Sequence, residues 1–123
     1  MSKETVLIAE DNALNLQLFT DLLEIKGVEV LQVADFSRVI EVAINGKPNL
    51  IITDIRLGVF SGVSLIKQIK DKPELRDIPI VAITAYATDE DRAELKKLGC
   101  MEYLSKPIPV NMFYEVVSKY IKF

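Results

Sequence analysis

Short apolar runs alternate along this chain with longer stretches in which apolar residues recur every three or four positions. Val6-Leu7-Ile8-Ala9, Leu50-Ile51-Ile52-Thr53 and Ile80-Val81-Ala82-Ile83 are unbroken apolar or β-branched runs. Such runs fit strands covered on both faces, as in a parallel sheet. They predict strands over Thr5 to Ala9, Leu50 to Asp54 and Ile80 to Thr84. Val28 to Val33 mixes Glu29 and Gln32 with apolar neighbours and reads as a strand in a less buried, edge position. Met101 to Leu104 reads as a short fifth strand. The intervening stretches are helical. Ala13 to Lys26 carries Leu14, Leu18, Leu22 and Ile25 at helical spacing, and Leu16, Phe19 and Leu23 widen that stripe. Gly27 stops it, as a C-terminal glycine often does. Phe36 to Ile44 turns Val39, Ile40, Ala43 and Ile44 inward, and Asn45-Gly46-Lys47-Pro48 closes it. Val63 to Lys70 turns Leu65, Ile66 and Ile69 inward. A further helix starts at an N-cap Thr88, with Asp91 in the acid position of a capping box, and runs to Leu98. It is almost wholly charged, anchored only by Ala93, Leu95 and Leu98, and reads as a solvated face. The last helix starts near Pro109 and uses Met112, Phe113, Val116, Val117, Tyr120 and Ile121.

Strand and helix thus alternate five times with short connections. That alternation predicts an α/β fold, doubly wound, with a parallel sheet between two helical layers. Right-handed crossovers bring all the strand carboxyl ends to one rim, where open α/β sheets bind their ligands. The residues that follow those ends are Glu10-Asp11, Asp54, Thr84 and Ser105-Lys106-Pro107.

Composition narrows what the rim does. The chain has 123 residues, 50% of them hydrophobic and 27% charged, which suits one globular domain with a real core. A net charge of -3 offers no basic excess for phosphate backbones, so no direct nucleic-acid partner is expected. No apolar run approaches the roughly 20 residues of a membrane span, and the one after Thr5 is too short for a signal peptide. Cys100 is the one cysteine; it suits a reducing compartment, so a cytoplasmic location is expected, and beside Gly99 it reads as a packed small residue. There is no histidine. This removes Ser-His-Asp and Cys-His catalysis in their usual form, and His-rich zinc sites with them. A metal here must be held by oxygen, which points to magnesium, calcium or manganese.

Glu10, Asp11 and Asp54 repel one another on the rim unless a cation intervenes. Magnesium suits them: it binds through one or two carboxylates, keeps waters, and accepts a phosphate oxygen. Lys106 can pair with a phosphoryl oxygen or with Asp54, and the Thr84 hydroxyl can donate to that same oxygen. The set fits phosphoryl transfer, in which positioning and electrostatics dominate. Asp54 is the nucleophile candidate, because a carboxylate of pKa near 3.9 needs no general base. Each residue has a plainer reading as well. An Asp after a strand is often a turn or cap, Glu10-Asp11 favours the positive end of a helix dipole, Lys106-Pro107 makes a turn, and Tyr103 reads equally as a half-buried strand aromatic. Their joint occurrence at four strand ends favours a site.

Glu10-Asp11, Asp54, Thr84-Ala85 and Ser105-Lys106-Pro107, in this order and spacing, resemble the receiver domain of bacterial two-component response regulators across the whole chain. Glu10-Asp11-Asn12-Ala13-Leu14-Asn15 and the stretch from Gly99 to Ile108 look most like the single-domain DivK-type regulators of cell division. The resemblance implies a flavodoxin-like fold with five parallel strands in order 2-1-3-4-5. It implies that Asp54 accepts a phosphoryl group from a phosphohistidine on a sensor histidine kinase or phosphotransferase. Asp11, Asp54 and the Arg56 backbone carbonyl would bind Mg2+ (or Mn2+), with Glu10 acting largely through water. Thr84 and Lys106 would hold the phosphoryl oxygens, Tyr103 would be the aromatic switch residue, and the Lys106-Pro107 bond would be cis. The chain departs from the pattern at Gly58, where many receivers have proline, and that should loosen the loop from Arg56 to Gly62. Arg56 and Tyr86 are expected to restrict water and lengthen the phosphorylated lifetime.

The resulting expectation is a phosphorylation-driven switch, not an enzyme acting on separate substrates: it catalyses only its own phosphoryl transfer and autodephosphorylation. With one domain over 1–123 and no output domain expected, the signal leaves by protein contacts to a downstream target. Leu14, Leu18 and the loop after Lys106 are the expected kinase-docking surface. The fourth and fifth helices and fifth strand form the expected output face, with the molecule a monomer or weak homodimer. Competing readings are a receiver cut from a hybrid kinase or longer regulator, a phosphorylation-independent interaction module, and a small aspartyl-phosphate phosphatase. The last would place an acid where Arg56 stands. A nucleotide or flavin carrier is disfavoured, since no GxGxxG or GxxxxGK occurs.

Overall fold

The computed structural model describes residues 4–55, 62–84 and 89–123, and the side chains of all of these but 62, 63 and 91. In chain order the elements are β1 (Thr5–Ala9), α1 (Ala13–Ile25), β2 (Glu29–Val33), a 3-10 turn (Phe36–Arg38), α2 (Val39–Gly46), β3 (Leu50–Asp54), α3 (Gly62–Asp71), β4 (Ile80–Thr84), α4 (Asp89–Lys97), β5 (Glu102–Ser105) and α5 (Val110–Val117). The strands form one parallel sheet in the order β2-β1-β3-β4-β5. Fold class and strand order are therefore those expected.

The sheet divides the core in two. Val6, Ile8, Leu50, Ile52, Val81, Ile83 and Leu104 pack with α1 and α5. Leu7, Ala9, Ile51, Ile80 and Ala82 point the other way and pack with α2, α3 and α4. Every residue of β3 and β4 is buried, as expected for central strands with both faces covered. β2 lies at the edge and leaves Glu29 and Gln32 exposed. α1 and α5 are joined by the stacked rings of Phe19 and Phe113, 5.3 Å apart. The Tyr114 hydroxyl also donates to the Leu22 carbonyl at 2.6 Å.

Local chemistry sets the ends. Asn12 is the N-cap of α1, its side chain accepting from the Asn15 N–H at 3.0 Å. Gly27 follows the helix at φ +79°, as its position predicts. α2 ends differently from expectation. The left-handed residue is Lys47, at φ +47°, while Gly46 is still helical. A Cβ on Gly46 would meet Leu31 Cδ1, the free end of a half-buried side chain on β2. Asp35 accepts from the Ser37 N–H at 3.0 Å and holds a 3-10 turn, so regular α-helix starts only at Val39.

The inward face of α1 also departs from the predicted stripe. Leu16, Phe19, Thr20 and Leu23 are buried, whereas Leu14 (83%) and Ile25 (75%) are largely exposed. Met112 on α5 is exposed too, and α5 gives way at Ser118, before Tyr120 and Ile121. Ile121, in the chain that follows the helix, is buried all the same, in the core that holds Phe113 and Val117. The N-cap expected at Thr88 lies outside the described residues. Cys100 is buried, its thiol within 3.1 Å of the Glu102 carbonyl, and burial pushes its pKa up, as suits a packed small residue.

Candidate functional site

Four strand ends deliver the site. Glu10 directly follows β1, still held by its N–H on the Val33 carbonyl of β2 at 3.1 Å, and its side chain is buried. Asp11, next in line, is exposed. The turn into α1 is tied to Glu10, because the Asn12 N–H donates to Glu10 Oε2 at 3.2 Å. Asp54 is the last residue of β3, in register with Ile83 of β4, and is buried. Thr53 donates its hydroxyl to the Asp54 carbonyl at 3.1 Å. Thr84 ends β4, buried, and its carbonyl accepts the Lys106 N–H at 2.9 Å. The Lys106-Pro107 bond is cis.

The side chains converge. One oxygen from each of Glu10, Asp11 and Asp54 lies within 4.8 Å of the others. Lys106 Nζ sits 3.0 Å from Glu10 Oε1 and 3.4 Å from Asp54 Oδ1. Burial raises the Asp54 carboxyl to about 6, helped by a hydrogen bond to Glu10 and repulsion from its charge; Lys106 opposes the rise without cancelling it. The ordinary carboxylate pKa expected of this residue therefore does not hold in the metal-free protein. Negative charge exceeds what one ammonium neutralises. The donors are all hard oxygens, one exposed and two buried, which is the donor set magnesium takes.

Among the residues expected at the site, Glu10, Asp11, Asp54 and Lys106 thus meet, with Thr84 beside them at its strand end. Arg56, Gly58 and Tyr86 lie outside the described residues. Tyr103 is half-buried on β5 and packs against the core on the α4 side of the sheet. There it meets a residue the sequence reading left in a solvated charge run. The Arg92 guanidinium lies over the Tyr103 ring, 4.7 Å from its centre, and Arg92 Nη2 reaches Ser105 Oγ at 3.3 Å. The signal for this was present in the sequence. Arg92 stands three residues before the inward Leu95, and Tyr103 and Ser105 share one face of β5 by strand alternation. Lys106 was expected against Asp54 or a phosphoryl oxygen; its shorter contact is to Glu10.

A parallel sheet of this order, with a carboxylate cluster and a lysine on its carboxyl rim, is the arrangement expected of a receiver domain. The chain belongs to the response regulator receiver domain family, which it matches over residues 6–118. It is 40% identical over 118 residues to the polar-differentiation response regulator DivK of Brucella anthropi, covering 96% of each chain. The DivK of Brucella ovis stands at the same identity and coverage, 40% and 96%. In fold, the chain is similar to the chemotaxis protein CheY4 of Vibrio cholerae, with a TM-score of 0.90 at 22% identity over 98% of this chain and 100% of that one. It is also similar to the receiver domain of sensor histidine kinase PA1611 from Pseudomonas aeruginosa, with a TM-score of 0.84 at 28% identity, covering 97% and 98%. The structure of that receiver has a magnesium ion coordinated in its active-site cleft. Family membership favours the receiver reading over the phosphatase and nucleotide-carrier readings. Among the described residues, no helix is long and apolar enough to cross a membrane.

Proposed function

We propose that this chain is a signalling switch driven by phosphorylation of Asp54. The observation that carries the reading is the placement of one ammonium against two buried carboxylates, with a third carboxylate on the open side. Asp11 and Asp54 would hold magnesium directly and Glu10 largely through water, with the Arg56 carbonyl as a further ligand from outside the described residues. Bound there, the metal supplies charge neutralisation for an incoming phosphoryl group. An Asp54 carboxylate oxygen attacks the phosphorus of a phosphohistidine on a sensor kinase or phosphotransferase. The P–N bond breaks, and the imidazole leaves with a proton from solvent. Lys106, already 3.4 Å from Asp54, pairs with a phosphoryl oxygen, and the Thr84 hydroxyl donates to another. The protein acts on no separate substrate, and hydrolysis of its own acyl phosphate resets it.

Leu14 and Leu18, exposed on α1 beside the rim, suit docking of the donor. The phosphorylated form acts on a downstream protein in the cytoplasm as a monomer or weak homodimer. Similarity to DivK favours cell-division control as its setting. Intact-mass measurement after mixing with acetyl phosphate tests the reading. A single phosphoryl adduct that needs magnesium and disappears in Asp54→Asn is expected. No adduct, from acetyl phosphate or from a phosphorylated kinase, would refute it.

A further inference from the structure

Arg92 occupies an unusual position for a residue of a charged helix. Its guanidinium lies over the Tyr103 ring at 4.7 Å, in the range of a cation–π contact. Its Nη2 reaches the Ser105 hydroxyl at 3.3 Å. Its Nε is buried, and among the described residues it has no hydrogen-bond partner. Tyr103 and Ser105 are alternate residues of β5, so one side chain from α4 bridges two positions on one face of the strand. Lys106 comes directly after, tied to β4 through the Thr84 carbonyl at 2.9 Å. The Tyr103 ring also packs against the core that contains Leu95 and Cys100. The ring is thus held by both the core and a cation carried by α4.

We infer that Arg92 is a positioning residue: it latches the Tyr103 ring to α4 and so couples the place of α4 to the strand end that carries Lys106. The latch is built to release. A buried N–H without a partner among the described residues opposes the arrangement, and the Ser105 hydrogen bond is long. The ring cannot leave its place without losing the guanidinium, and α4 cannot shift without uncovering the ring. A ligand on the rim that favours a moved ring is therefore opposed by Arg92, and a partner that draws Arg92 away favours the rim ligand by the same factor. This coupling rests on the phosphoryl-switch reading, whereas the latch itself does not.

Two measurements separate those levels. The first uses the metal-free protein with 13C-labelled tyrosine rings, followed by NMR, with the Tyr103 signal assigned by Tyr103→Phe. Arg92→Ala is expected to shift that signal and speed ring flipping, and Arg92→Lys, which keeps a cation, to restore it in part. Unchanged ring signals in Arg92→Ala, with helix content intact by circular dichroism, would overturn the latch. The second is the affinity for beryllofluoride with magnesium, a phosphoryl stand-in. Arg92→Ala is expected to bind it roughly 3- to 10-fold more tightly, the range that losing one such contact allows. Equal affinity with a released ring would overturn the coupling alone. Failure of the unsubstituted protein to bind beryllofluoride would tell against the phosphoryl reading, and the NMR result would still decide the latch.

Discussion

Replacing Asp54 with Asn should make the metal-free protein more stable at neutral pH, although it removes the proposed acceptor. In the folded chain the Asp54 carboxyl is raised from 3.8 to about 6, first by burial and then by Glu10. The ionised form is thus disfavoured in the fold relative to the unfolded chain, and a rise of that size is equivalent to about 3 kcal/mol. The sign follows directly. Below the unfolded pKa the carboxyl is neutral in both states and costs nothing. As pH rises from about 4 through about 6, the unfolded chain ionises first and stability is lost; above about pH 7 the loss is complete. Asn cannot ionise and escapes the whole penalty. The 3.4 Å pairing with Lys106 is already contained in that rise, which it opposes without cancelling.

The net gain expected is about 1–3 kcal/mol, a Tm increase on the order of 3–10 °C for a domain of this size. Thermal unfolding by circular dichroism, in chelator and at constant ionic strength, measures it. The gap between the two proteins should be about three times larger at about pH 7.5 than at about pH 4.5. A variant that melts below the wild type at neutral pH, or a gap indifferent to pH, would refute the account of the site as an excess of buried negative charge.

Magnesium should reverse that order. Saturating metal should raise the Tm of the wild-type protein, by about 3 kcal/mol of stability at a hundredfold excess over Kd, and leave Asp54→Asn or Asp11→Asn nearly unmoved in the same scan. Tyr120, whose hydroxyl donates to Glu102 at 2.7 Å, is raised to about 12 by burial and then by that carboxylate. Glu102→Gln should bring its ionisation part of the way back toward 10, read by ultraviolet absorbance against a Tyr120→Phe control. At the end of α2, Lys47→Gly should stabilise by about 1 kcal/mol, because the residue sits at φ +47°. Gly46→Ala should change stability little, because its Cβ meets only the free end of the Leu31 side chain, which can turn away, and alanine favours the helix; urea unfolding measures both.

The central strands were legible because burial on both faces leaves a continuous apolar run, which no amphipathic helix of this length produces. Glu10, Asp54 and Thr84 were legible because each directly follows such a run. α1 shows the limit of the same logic. Leu14, Leu16, Leu18, Phe19, Leu22, Leu23 and Ile25 cover more than half the circumference of the helix, so period alone does not choose the inward side. The choice is made by α5, whose Phe113 stacks on Phe19 and whose Tyr114 reaches the Leu22 carbonyl. Lys47 shows a second limit. Helix-end chemistry favours glycine as the left-handed residue, yet Gly46 stays helical and the left-handed turn falls one position later, on Lys47. The pair that defines the site was the least visible feature. Glu10 and Lys106 stand 96 positions apart in the chain. In the sheet order, β3 and β4 lie between their strands, a separation of roughly 14 Å at about 4.8 Å per strand. The contact closes because the Lys106 N–H is tied to the Thr84 carbonyl on β4, which leaves the whole lysine stem free to cross the end of β3. Asp54 lies on that path, so the ammonium that neutralises Glu10 passes within 3.4 Å of the Asp54 carboxylate. Strand order, more than any local motif, is what puts the lysine in reach of both.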